Sequence, residues 1–263
     1  MNKLNQELHI DYKYFKKVIL ILVIFSYIIG QKIVYIDNNT VNAFEFIIIM
    51  LSNQHYLIYC MALIFLFIII GNLKYQNNII VLSRFKTYKL YFLERILNNL
   101  VICIQIVLLQ VIMALVIVLP KLKIVNSFNE NTNDEILKVF STNFSTPILA
   151  ILVICSYMIL GLFLFSTLLE LINNTYSKGI CIILIVIIYF FMTLRINSGN
   201  LDILNYFCID NYFILSNSIY NNMSLNVILI EIAAFILIFM KVQFKNWDSI
   251  FIGIYITLLK KSV

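Results

Sequence analysis

The sequence predicts an all-α integral membrane protein with six transmembrane helices and both termini in the cytoplasm. Three observations carry that expectation. The chain is 62% hydrophobic and only 12% charged, about half the charged share of a soluble domain. Its apolar residues form continuous runs rather than alternating ones, which excludes a transmembrane strand barrel. Its basic residues are divided very unequally between the two sides that those runs define.

About 20 apolar residues cross a bilayer as a helix. Six runs meet that length with soft edges: 18–36, 56–72, 96–119, 147–169, 179–194 and 225–243. The first is preceded by too long an arm, and followed by no small-residue cleavage motif, for a secretory signal, so it is expected to be retained as a span. One side collects fourteen of the 19 Lys and Arg: Lys3, Lys13, Lys16 and Lys17 before the first span; Lys74, Arg84, Lys86, Lys89 and Arg95 between the second and third; Lys178; and Lys241, Lys245, Lys260 and Lys261 at the end. The other side holds five, Lys32, Lys121, Lys123, Lys138 and Arg195. Positive charge stays inside, so both ends and the 73–95 connection are assigned to the cytoplasm.

Two segments beside the spans are amphipathic. In 1–17, Leu4, Leu8, Tyr12 and Phe15 share a helical face while Lys13, Lys16 and Lys17 mark headgroup level, which predicts an elbow helix lying in the interface. In "VLSRFKTYKLYFLERIL" (81–97), Val81, Phe85, Tyr88, Phe92 and Ile96 recur at helical steps and Arg84, Lys86 and Lys89 fall largely off that face. A surface helix running into the third span is expected there. The 195–224 connection contains "LDILNYF" and "NYFILSNSIY", too short to cross, which suit short helices dipping into the outer leaflet or a surface loop with aromatic anchors. The cytoplasmic tail, 244–263, ends in about half a membrane's worth of apolar residues.

Several chemistries are excluded. The six glycines show no Walker A spacing, and none precedes a lysine, so this chain holds no nucleotide by that motif. His9 and His55 are far apart, and neither H-E-x-x-H nor Gly-x-Ser-x-Gly occurs. No metal site and no catalytic residue is expected. The five cysteines form no C-x-x-C pair and read as small buried hydrophobes. No basic soluble face is present for nucleic acid.

Three polar residues within spans stand out. Glu231 lies in "VILIEIAAFIL" and is either a proton relay or cation site, or a helix-packing hydrogen bond beside Ala233 and Ala234, or a residue near the outer third of the bilayer. The lack of a second acidic residue in any span favours packing. Asn98 and Gln105 are seven apart on one face of the third span, and either line a polar path at a dimer interface or make interhelical hydrogen bonds.

The architecture, together with "NIIVLSRFKTYKLYFLERIL" (78–97) and "LLELINNTYSKGICIIL" (168–184), resembles ABC-2-type permeases, the membrane subunits of bacterial ATP-binding-cassette exporters. The resemblance covers nearly the whole chain as an architecture. It implies that the 81–97 stretch is a coupling helix docking on a separate ABC ATPase through Arg84, Phe85, Lys86 and Tyr88. It also implies a second permease subunit, the same or different, a location in the bacterial cell membrane, and ATP hydrolysed by the partner with no cofactor on this chain. Export of a hydrophobic or antimicrobial peptide, or self-protection against one, is the activity it suggests. The alternative is an ATP-independent immunity or sensor protein that binds a peptide in the bilayer.

Overall fold

The computed structural model describes residues 41–76, 88–120, 122–129, 134–175, 178–198, 210–220 and 224–244, with helical positions at Leu22, Phe25, Ser26, Ile29 and Gly30. Among the described residues every regular element is helical. The expected elbow helix, most of the first span, Arg84, Phe85 and Lys86, and the cytoplasmic tail beyond 244 lie outside them.

Helix α1 is Ala43–Ser52. Helix α2 continues at once through Gln54–Tyr56, a π-helical turn Leu57–Ala62 and Leu63–Gln76. Helices α3 (Tyr88–Val118), α4 (Glu135–Asn143), α5 (Pro147–Thr175) and α6 (Lys178–Ser198) follow. Two short helices, α7 (Asp210–Phe213) and α8 (Leu215–Tyr220), precede the long α9 (Ser224–Phe244).

Three stretches are long and apolar enough to cross a membrane: Gln54–Gly71, Leu90–Val118 and Pro147–Ile172. They coincide with the predicted spans at 56–72, 96–119 and 147–169, and they mark a membrane protein. The spans predicted at 179–194 and 225–243 fall on α6 and α9, whose described apolar stretches are shorter, Ile183–Leu194 and Asn226–Ile238. Of the two short apolar clusters foreseen in the 195–224 connection, "NYFILSNSIY" falls on α7 and α8, and "LDILNYF" lies outside the described residues.

Helix α5 is the hub, since every other labelled helix packs against it. Its Gly161 explains how α7 reaches it. A Cβ at that position would stand 1.8 Å from the Tyr212 carbonyl oxygen, so the backbone of α7 rests directly on α5 where only a glycine leaves room.

Helix α1 lies between the spans predicted at 18–36 and 56–72, where no element is predicted. "AFEFIIIMLS" is too short to span, yet all of its residues but Phe44 are buried, and it packs on α3, α4 and α5. A helix apolar on all sides belongs inside a protein. At about 15 Å it crosses roughly half a hydrocarbon core. Its first turn carries a capping box: Asn42 Oδ1 accepts from the Glu45 backbone N–H at 3.0 Å, and Glu45 Oε2 accepts from the Asn42 backbone N–H at 2.8 Å. The other Glu45 oxygen accepts from the Asn129 backbone N–H at 2.6 Å, and Asn42 Nδ2 donates to the Ser127 carbonyl at 2.8 Å. The helix entry is thereby tied to the segment that follows α3. Asn53 ends α1 in an extended conformation and caps the next helix, its Oδ1 accepting from the Tyr56 backbone N–H at 3.0 Å.

The main apolar core joins α1 (Phe46, Ile47, Met50), α3 (Ile106, Val107) and α5 (Ile154, Met158). A second cluster unites Phe92 of α3, Leu164 of α5 and Ile238 of α9, with Phe163 and Phe235 stacked at 5.0 Å between centroids.

Candidate functional site

Tyr91, Arg95 and Asn99 follow one another at steps of four, so they form a single polar row on α3. That row faces α5, where Glu170 is fully buried. Arg95 Nε lies 2.7 Å from Glu170 Oε1, and Asn99 Nδ2 donates to Glu170 Oε2 at 2.8 Å. The Arg95 guanidinium sits 4.9 Å from the centroid of the Tyr91 ring and also donates to the Tyr91 hydroxyl. Arg95 is only 2% exposed and Glu170 0%. One carboxylate therefore holds a cation and an amide together, and the three side chains clamp the early part of α3 to the late part of α5.

This arrangement corrects two sequence expectations. Arg95 was assigned to the cytoplasmic connection as an orienting charge, but its charge is neutralised inside the helix packing. Glu170 stands one residue past the predicted fourth span, yet α5 continues to Thr175 and buries it. Glu231 is thus not the only buried acid of the long helices. The signal was present in the step of four from Arg95 to Asn99 and in the lone acid of "LLELINN". It was hidden because both charges sit at the margins of their apolar runs.

The other predicted residues are not brought together. Tyr88 is the first residue of α3. Asn98 is half-buried and Gln105 exposed, on the side of α3 away from Asn99. Glu231, on α9, is 2% exposed. Neither of its oxygens has a hydrogen-bond partner among the described residues. It shares with Val227 and Ile238 the buried face of α9 and lies within electrostatic range of Tyr157 and Tyr212.

A second polar group gathers around α7 and α8. The Tyr157 hydroxyl of α5 donates to the Asn211 carbonyl at 2.5 Å and shares a 2.7 Å hydrogen bond with Ser218 Oγ. Asn217 Nδ2 donates to Asp210 Oδ2 at 3.2 Å, and the Gln54 amide donates to Asn217 Oδ1. Ser216 Oγ donates to the Ser52 carbonyl at 3.3 Å, satisfying one of the last carbonyls of α1. The break between α1 and α2 is thus sealed by side chains of α8. At the rim, partial burial, with Glu135 and Asp134 nearby, pushes the Tyr220 hydroxyl above its ordinary value.

Among the described residues no group of three or more His, Cys, Asp and Glu is placed to hold a metal ion. Comparison with known protein families, characterised proteins and solved structures finds no match to this chain.

Proposed function

We propose that the chain is the permease subunit of an ABC-2-type transporter, with six spans, both termini in the cytoplasm, and a separate ATPase as its motor. The observation that carries this reading is the continuity of α3. It is one helix of 31 residues from Tyr88 to Val118, about 46 Å long, and it begins where the basic 81–87 stretch ends. A load applied at Arg84, Phe85 and Lys86 is then delivered to the N-terminal end of a rigid rod. The Arg95–Glu170–Asn99 clamp passes it to α5, against which every other labelled helix packs.

The cargo that suits such a chain is a hydrophobic or antimicrobial peptide, either exported or cleared from the bilayer for self-protection. The buried half-helix α1 and the short α7 and α8 support a pathway function, because non-spanning backbone at membrane depth requires shielding by protein or a cavity.

The test is recovery of the chain from native membranes in mild detergent, compared with an Arg84→Glu, Phe85→Ala variant. An ABC ATPase is expected with the native chain and not with the variant. No ATPase after crosslinking overturns the reading in favour of an ATP-independent immunity or sensor protein.

A further inference from the structure

Polar side chains on outward faces of membrane helices have few explanations, because lipid offers them no hydrogen bonds. The long helices deal with this in different ways. The exposed side chains of α6 between Ile183 and Leu194, and those of α9 between Ile228 and Leu237, are apolar throughout, as a lipid-facing surface requires. Ser156 of α5 is also exposed, but its hydroxyl donates to the Leu152 carbonyl of its own helix at 2.6 Å.

Gln105 fits neither pattern. It is exposed, it makes no side-chain hydrogen bond within the described residues, and it lies one position from the middle of the apolar stretch Leu90–Val118. The amide is therefore placed at the depth where water is scarcest. It sits in a stripe of Leu97, Val101, Leu108, Ile112 and Val116, each about half-exposed, at steps of three and four. From Leu97 to Val116 the stripe is about 28 Å long, close to the roughly 30 Å thickness of a hydrocarbon core.

We propose that this stripe is an interface with a second copy of the same chain, centred on a reciprocal hydrogen bond between the two Gln105 amides. An amide both donates and accepts, so it is complementary to itself across a twofold axis. A carboxylate or an ammonium in the same place would repel its own copy. The apolar side chains on either side supply matched ridges for packing, and the central pair fixes the register, as a single polar residue does in an otherwise apolar helix seam. The inference names the second permease subunit as another copy of this chain. It rests on the membrane location of α3 rather than on the ATPase, so loss of the ATPase result leaves it standing, and its own failure leaves the motor reading untouched.

The test uses the full chain in native membranes, with its own cysteines replaced by alanine and one cysteine returned at Gln105, at Leu108 or, as a control, at Val186 on the outward face of α6. Mild oxidation is expected to give a disulfide-linked species of twice the 30.8 kDa chain mass from Gln105→Cys, less from Leu108→Cys and none from Val186→Cys. In the native-cysteine chain, Gln105→Leu is expected to weaken the dimer in detergent roughly threefold to tenfold, and Gln105→Asn to weaken it less. Three outcomes overturn the proposal. One is no crosslink at Gln105→Cys. Another is a crosslinked partner of different mass. The third is ready alkylation of Gln105→Cys by a membrane-impermeant thiol reagent without dimer formation, which assigns Gln105 to a water-filled path instead.

Discussion

Arg95 on α3 and Glu170 on α5 form an ion pair of 2.7 Å with neither side chain more than 3% exposed. Removing one partner leaves a charge buried without compensation, which costs about 3–5 kcal/mol. Arg95→Met is expected to destabilise the detergent-solubilised protein by that amount, and Glu170→Leu likewise. The double variant is expected to recover most of the loss, because two apolar side chains of similar size need no partner. Equilibrium unfolding of the four proteins closes the cycle, and strictly additive losses would contradict a direct pair.

Gly161 provides a test of packing alone. Because a Cβ there meets the Tyr212 carbonyl at 1.8 Å, Gly161→Ala must move backbone rather than a flexible side-chain tip. The expected cost is about 1–3 kcal/mol. Limited proteolysis across 210–220 should accelerate in the variant, since α7 loses its seat on α5. Unchanged cleavage would mean that α7 is held elsewhere.

The capping box of α1 makes a local prediction. Asn42→Ala removes the acceptor for the Glu45 N–H and the bond to Ser127, and is expected to cost about 1 kcal/mol. Hydrogen exchange should speed up first at residues 43–46 and leave α5 unchanged. Asn42→Asp should retain most of the protection, because its carboxylate still accepts at the helix start.

Glu231 is buried without a hydrogen-bond partner among the described residues. A carboxyl in that position lowers stability relative to an apolar side chain of similar volume. Glu231→Leu is therefore expected to raise the midpoint of unfolding, by about 1–2 kcal/mol in stability, and Glu231→Lys to lower it. Under the transporter reading, Glu231→Gln has a mild effect on transport, whereas an ion-coupled carrier would lose it. A less stable Glu231→Leu protein would show that the carboxyl is making a stabilising contact.

The long helices were legible because twenty consecutive apolar residues have one physical meaning in lipid. That logic placed α2, α3 and α5, although α3 begins before, and α5 ends after, the limits it set. It failed for α1, whose ten residues, nine of them buried, are too few to register as a span. It also failed at the ends of the runs, where a charge facing water and a charge facing a partner have the same hydropathy. Arg95 and Glu170 are distant in sequence, and only the packing of α3 on α5 reveals which acid Arg95 meets. For Gln105 the sequence identified the polar residue. Only the structure shows that it turns outward while Asn99, six residues earlier, turns in.

The half-length of α1 makes it dependent on helices that follow it in the chain. Ten residues are too few to be held in a bilayer alone, and the lasting companions of α1, on α3 and α5, are made after it. Its own synthesis is complete while its binding place does not yet exist. The contacts that bury α1 are therefore complete only once α5 has been made.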